Sequence, residues 1–142
     1  MSNVEVARRF WGLWSDEGLP QLIERYDEFF TDDLEWRSPI AEVSGARLLG
    51  REAFERHVAD LIEAFGEIHA EPAEIAELTP DAVRSKVWVH GKGLRSGAVI
   101  DAPMISVARM REGRIAWAWG SFDLVEGERM VEAVARGERV TI

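Results

Sequence analysis

The chain has 142 residues, 46% hydrophobic and 30% charged, with a formal net charge of −9, which is enough apolar material for the core of one ordinary domain. It has no cysteine, which excludes disulfides and thiolate chemistry, and its acidic balance argues against nucleic-acid binding. No apolar stretch approaches the roughly 20 residues that span a bilayer, and the N-terminus lacks a secretory pattern, so we expect no membrane partner and a cytoplasmic location.

Helical spacing dominates the first half of the chain. Ser2 begins a capping box, and the apolar residues after it recur at helical intervals up to Gly18, which suits a helix C-terminus. Pro20 suits the first turn of a second helix, which we expect to end near Thr31. The same periodicity predicts a third helix over residues 51–65.

Shorter segments with alternating apolar and polar residues predict strands. Residues 33–38 end at a proline and predict a short edge strand, followed by a loop over residues 39–50. Residues 68–78 predict a second strand that is interrupted near its proline, and residues 82–90 predict a third. A glycine-rich, mobile connection over residues 91–97 leads into the next strand.

A β-hairpin is predicted over residues 97–123, with a three-residue loop at 111–113 whose glycine can take a positive φ. Side chains alternate between the two faces of a strand. One face of the hairpin carries mostly small residues, namely Ala102, Met104, Ser106, Ala116, Ala118, Gly120 and Phe122. The other face carries Asp101, Pro103, Ile105, Val107, Ile115, Trp117 and Trp119. The small-residue face leaves room for a cavity, unless rings from the helices fill that space.

Helices followed by strands favour one α+β domain over residues 1–142, with its core at about 3–136 and a short terminal helix at 126–136. The three N-terminal helices are expected to cover the small-residue face of a mostly antiparallel sheet. The terminal helix is then the one element left to cover the bulky apolar face, and it offers only a modest apolar stripe at Met130, Val131 and Val134. A patch that stays uncovered marks an interaction site. We therefore expect a homodimer through the outer face of the sheet, formed by Ile105, Val107, Ile115, Trp117 and Trp119.

The three helices, the strand within FFTDDLEW and the sheet ending in EGRIAWAWGSFD resemble the nuclear transport factor 2-like superfamily, and within it the SnoaL-like branch. The resemblance implies the cone-shaped fold of ketosteroid isomerases and limonene-epoxide hydrolases, a cystatin-like α+β barrel. In that fold, helices close one side of a curved sheet around a deep, largely apolar pocket. The resemblance also implies pairing of two such cones through the outer face of the sheet.

Three mechanisms known in this superfamily do not transfer to the chain. A ketosteroid isomerase-like site would need an aspartate at Ser38, a tyrosine at Phe10 and an acid at Ser106, or at Ile105 if the turn length differs. Cyclase-like members often carry histidine–tryptophan–aspartate where this chain has alanine–tryptophan–glycine at 118–120. A limonene-epoxide hydrolase-like site would need an aspartate–arginine–aspartate arrangement with a tyrosine and an asparagine. The corresponding positions hold other residues here, namely Trp36, Ser38, Lys86, Trp88 and Gly120.

Two residues remain as candidates for acid–base chemistry. His90 can act as a general base if its strand face lines the pocket, and is otherwise a residue of the rim. Asp101 lies in an apolar run and points outward in the predicted register, but a slip of one residue would bring it into the pocket. Of the other histidines, we expect His57 to be partly exposed and His69 to face solvent. The three show no metal-ligand spacing, so no metal and no cofactor is predicted.

We predict a pocket lined by Phe10, Trp14, Tyr26, Trp36, Ser38, Trp88, Met104, Ser106 and Phe122. Its ligand is expected to be a small, mainly apolar molecule. The protein either acts on this molecule by acid–base chemistry, as an isomerase, cyclase or hydrolase, or binds it without catalysis. A third possibility is a protein-interaction module that uses the tryptophan-bearing face.

Overall fold

A computed structural model describes residues 1–40 and 47–140, and shows a six-stranded curved sheet with five helices. The helices are α1 (Asn3–Asp16), α2 (Leu19–Glu24), α3 (Tyr26–Phe29), α4 (Gly50–Phe65) and α5 (Leu124–Ala135). The strands are β1 (Phe30–Arg37), β2 (Arg47–Leu49), β3 (Ile68–Thr79), β4 (Ala82–Lys92), β5 (Val99–Arg111) and β6 (Arg114–Ser121). Their order is β2-β1-β6-β5-β4-β3, and only β1 and β6 pair in parallel. The predicted α+β class with a mostly antiparallel sheet is confirmed.

The N-terminal helices follow the sequence pattern with one exception. The capping box of α1 is present, since the Ser2 hydroxyl accepts from the Glu5 amide at 3.2 Å and the Glu5 carboxylate accepts from the Ser2 amide at 3.0 Å. The single second helix predicted to end near Thr31 is wrong. Arg25 leaves the helical backbone (φ −104°, ψ 24°) and divides it into α2 and α3, and the chain is already extended at Phe30.

β1 is not the edge strand that the sequence predicted. It pairs with β6 on one side and with β2 on the other, so that Trp36 lies opposite both Ala118 and Leu48. β2 lies within the stretch predicted to be a loop, and residues 41–46 of that stretch lie outside the described residues. The third predicted helix is confirmed as α4, which ends at Gly66 with a φ of 70°.

The long strands β3 and β4 confirm the predicted pair. Their ladder shifts register between Pro72 and Glu74, where the sequence predicted an interruption. β4 runs two residues further than expected, to Lys92, so the connection to β5 covers residues 93–98.

The β5–β6 hairpin contains a tighter turn and one more irregularity than predicted. Residues 112–113 form a two-residue turn with φ values of 54° and 77°, as type I′ turns require. The ladder shifts register next to Met110, because Ala116 is the extra residue of a β-bulge. The alternation of side chains therefore reverses before Trp117. Ile115 packs in the inner core instead of on the outer face predicted for it.

α5 covers the outer face of β5 and β6. The Asp123 carboxylate caps this helix by accepting from two amides of its first turn at 3.0 and 3.1 Å. Gly127 allows a close approach, because a Cβ there would lie 2.8 Å from Cβ of Ile105. The outer residues are consequently 9% exposed or less, namely Ile105, Val107, Trp117 and Trp119. The expectation that this face is uncovered is wrong, and pairing of two copies stays a prediction.

The inner face of the sheet is covered by the other helices. α1 packs on β3 and β4, and α4 packs on β1. Trp14 of α1 is tied to the sheet, because its indole Nε1 donates to the carbonyl of Ile68 at 2.8 Å. No helix in the described part of the chain is long and apolar enough to cross a bilayer.

Candidate functional site

A cavity lies between the covering helices and the inner face of the sheet. Its wall is formed by α1, β1, α4 and the strands β4, β5 and β6, and most of the wall residues are aromatic or aliphatic. The cavity volume is about 40 Å³, whereas pockets for drug-sized ligands measure roughly 300–1,000 Å³. The ligand-sized space that the sequence predicted is thus not open in this structure. A ligand larger than a few water molecules requires side chains of the wall to move.

The described wall contains three serine hydroxyls in addition to the indole N–H groups of its tryptophans. Ser38 is partly used by the backbone, since its Oγ accepts from the amide of Ile40 at 3.2 Å. Ser85 on β4 lies directly opposite Ser106 on β5, so these two hydroxyls come from adjacent strands. No titratable side chain lines the cavity within the described residues. The wall can therefore hydrogen-bond a ligand, but it cannot neutralise a ligand's charge.

Rings fill most of the space that the small residues leave. Trp11 and Trp14 stack with ring centroids 5.5 Å apart and an interplanar angle of 19°. On the opposite side of the cavity, Pro39 and Met104 pack closely against Gly120. A Cβ at this position would lie 3.4 Å from Pro39 Cδ and 3.3 Å from Met104 Sδ. The cavity is thus the small part of the cone interior that the aromatic side chains leave unfilled.

Most of the predicted pocket residues line this cavity, namely Phe10, Trp14, Trp36, Ser38, Met104, Ser106 and Phe122. Two do not. Tyr26 is buried in the core, where its hydroxyl donates to the carbonyl of Thr31 at 2.7 Å and burial raises its pKa to about 12. Trp88 lies on the outer face of the sheet and is 42% exposed, because β4 turns its other set of side chains inward.

Neither acid–base candidate lies on the cavity. His90 and Asp101 face each other on the outer side of β4 and β5, with His90 Nδ1 3.1 Å from Asp101 Oδ1. The same Asp101 oxygen accepts from the indole Nε1 of Trp88. Asp101 points outward, as the predicted register implies, and no slip carries it inside. A molecule in the cavity cannot touch either residue.

His57 is a correction to the sequence analysis. The prediction was partial exposure, but the side chain is fully buried on α4. Its ring meets that of Trp36 edge-on, with centroids 5.6 Å apart and an interplanar angle of 86°. Burial lowers the pKa of His57 to about 4, an effect that the charge of Asp60 partly offsets. His57 is neutral at pH 7.

Sequence reasoning also missed wall residues, and three of them are informative. Trp11 was not among the predicted pocket residues, yet it lines the cavity. Ser85 belongs to the alternating set of β4 that faces inward with Val83 and Val89, and this alternation was the signal that could have identified it. Ile115 joins the wall because of the bulge at Ala116, for which the sequence carries no signal.

Solved structures with the same fold are similar to this chain at low sequence identity. TerC, co-crystallised with polyporic acid, has a TM-score of 0.69 and 20% identity, covering 92% of this chain and 98% of its own. A protein assigned as a SnoaL-like polyketide cyclase from Jannaschia sp. CCS1 has a TM-score of 0.67 and 18% identity, covering 92% of each chain. A cystatin-like protein of unknown function from Xanthomonas campestris has a TM-score of 0.74 and 13% identity, covering 92% and 98%. Curated proteins yield no match.

The helix-covered, curved sheet places the protein in the cystatin-like α+β class, the fold also described for the Xanthomonas campestris structure. The sequence itself matches the SnoaL-like domain over residues 7–118. The chain therefore belongs to the SnoaL-like domain family, which confirms the resemblance seen in its sequence.

Proposed function

We propose that this SnoaL-like protein binds a small, neutral, mainly apolar molecule in the cavity of its cone. The observation that carries the proposal is the wall itself, which is aromatic and aliphatic except for three serine hydroxyls. The family supports a small-molecule role, because one similar structure was co-crystallised with polyporic acid and another is assigned as a polyketide cyclase.

The ligand is expected to be uncharged. Moving an ion from water into an apolar site costs several kcal/mol unless a group of opposite charge meets it. The described wall offers no such group. Ser85 and Ser106 can instead donate to, or accept from, a hydroxyl or carbonyl group of the ligand.

Access to the cavity requires a movement of the wall. Most of its large side chains are buried, but Trp36 and Phe122 are partly exposed and can shift toward solvent without unfolding the core. We propose that binding displaces one of these two rings. The acid–base version of the function loses the two residues that the sequence offered for it, since His90 and Asp101 lie on the other side of the sheet.

The test compares two bicyclic probes of the same size, neutral 1-naphthol and anionic 1-naphthoate. Trp11, Trp14 and Trp36 line the cavity, so binding should quench tryptophan fluorescence in a saturable way. We expect 1-naphthol to bind at least about tenfold more tightly, which corresponds to about 1.4 kcal/mol.

Two variants make the test specific to the cavity. Ala118→Leu adds a branched side chain to the wall and should weaken 1-naphthol binding at least about tenfold. Ala76→Leu adds the same bulk at an exposed position of β3 and should leave binding unchanged. Circular dichroism establishes that both variants are folded. Equal binding of the two probes, or unchanged binding by Ala118→Leu, would reject the proposal.

A further inference from the structure

His57 lies directly behind the wall of the cavity. Its ring is buried against the indole ring of Trp36, and Trp36 lines the cavity. Leu61, one turn further along α4, also lines the cavity. Residues four apart share one face of a helix, so His57 lies on the face of α4 that is turned toward the cavity. The indole of Trp36 thus contacts the imidazole of His57 and also lines the cavity.

The ring at this place is a fully buried titratable group, which is an uncommon environment for a histidine. Burial lowers the pKa of the imidazole to about 4, and the charge of Asp60 partly offsets this effect, so that the imidazole is neutral at pH 7. A neutral imidazole can take up a proton and return it. Buried titratable groups with a strongly shifted pKa, next to a cavity, are typical of chemical sites.

The ring that separates His57 from the cavity is one that can move. Trp36 is partly exposed, in contrast to the other tryptophans of the wall. Its indole packs against the rings of Phe54 and His57, with centroid distances of 5.2 and 5.6 Å. Such ring contacts are weak compared with the burial of a whole side chain. Displacing Trp36 would both widen a cavity that is only about 40 Å³ and open a path to His57.

We propose that His57 is the acid–base residue of the cavity, and that a ligand reaches it by displacing the indole ring of Trp36. The proposal rests on the ligand-binding function proposed above. The chemistry is a proton transfer, in which the imidazole takes a proton from an acidic C–H or O–H of the ligand. The imidazolium then gives back a proton to the resulting anion, or a deuteron if it has first exchanged with deuterated solvent. No other reactant is consumed. The ligand class is then a neutral molecule with an acidic proton, such as a ketone.

The first experiment measures whether Trp36 shields His57. Diethyl pyrocarbonate acylates accessible neutral imidazoles, and the chain has three histidines. A His69→Gln/His90→Gln background leaves His57 as the only target. In this background we expect no rapid reaction, whereas adding Trp36→Ala should accelerate acylation at least about a hundredfold, in line with the free-energy range of local opening. Phe122→Ala is the matched control, because it removes the other partly exposed ring and leaves Trp36 in place.

The acylation rates decide whether Trp36 shields His57. Fast acylation with Trp36→Ala and slow acylation with Phe122→Ala support shielding, and equal rates in the two variants overturn it. If Trp36→Ala does not fold, the background protein is acylated at urea concentrations below its unfolding transition. A rate independent of urea indicates local displacement of the ring. A rate that increases with urea as steeply as global unfolding does shows that acylation requires global opening. This result overturns the proposal.

The second experiment tests the proton transfer itself. Hydrogen–deuterium exchange at the acidic carbon of 2-tetralone, a neutral bicyclic ketone, is followed by NMR in deuterated buffer. His57→Gln should lower the protein-catalysed rate about 10²-fold, the lower end of the usual range for a general base, because an imidazole with a pKa of about 4 is a weak base at pH 7. His69→Gln should not change the rate. Equal rates with and without His57 overturn the proposal. Failure of 1-naphthol to bind rejects the ligand-binding function instead, whereas normal 1-naphthol binding without exchange rejects only the role of His57.

Discussion

Replacing His57 by glutamine should remove much of the acid sensitivity of the fold. The imidazole is fully buried, and burial lowers its pKa from 6.5 to about 4. Between these two values the unfolded chain binds a proton at residue 57 and the folded chain does not. The free energy of unfolding therefore decreases as the pH falls from about 6.5 toward 4.

The size of the effect follows from the difference between the two pKa values. Each pKa unit corresponds to about 1.4 kcal/mol, so acidification from pH 7 to 4.5 should cost about 2–3 kcal/mol through this one group. Glutamine does not titrate and should lack this loss. The measurement stays above pH 4.5, because Glu28 begins to contribute below that value. Its hydrogen bond with Arg25 lowers the pKa of Glu28 to about 2.

The assay is urea unfolding at several pH values between 4.5 and 7, followed by circular dichroism. The quantity compared is the change in unfolding free energy with pH, in the unmodified protein and in His57→Gln. His69→Gln is the matched control, since its side chain is 45% exposed, and it should keep the slope of the unmodified protein. Identical slopes for the unmodified protein and His57→Gln would show that His57 is not held neutral by burial.

Three further predictions concern the two faces of the sheet. Gly127→Ala should lower the free energy of unfolding by about 1–3 kcal/mol, because the new Cβ would lie 2.8 Å from that of Ile105, and unchanged urea unfolding would contradict this packing. Tyr26→Phe should lower it by about 1–2 kcal/mol, because the buried carbonyl of Thr31 loses its donor, and the same urea assay measures the loss. Pairing of two copies across the part of the outer face that α5 leaves open would involve Trp88, so Trp88→Glu should shift the light-scattering mass from a dimer toward 16.0 kDa. A mass of 16.0 kDa for the unmodified protein would reject pairing.

Local signals in the sequence predicted most of the secondary structure. The capping box at Ser2, the glycine after α4 and the alternation of β4 are properties of neighbouring residues, and each appears in the structure. The alternation along β5 likewise predicted correctly that Met104 and Ser106 face the cavity. These predictions succeeded because the hydrophobic pattern of a strand determines which of its faces can be buried.

The errors arose where a distant element decides the outcome. The pairing of β1 with β2 depends on contacts between segments that are separated in the sequence. The bulge at Ala116 turned Ile115 inward, because one extra residue reverses the alternation that follows it. The docking of α5 covers a face that was expected to be open. This docking is possible because Gly127 has no side chain.

The sequence by itself determined the fold family and the alternating pattern of the inner face, since both depend on residue type and spacing. Only the tertiary structure decided which polar residues meet the cavity. Its strands carry His90 and Asp101 to the outer face, whereas the packing of α4 on β1 buries His57 behind Trp36. The physical reason is that burial, and with it the pKa of a side chain, is set by the layers that close around a residue and not by its neighbours in the chain.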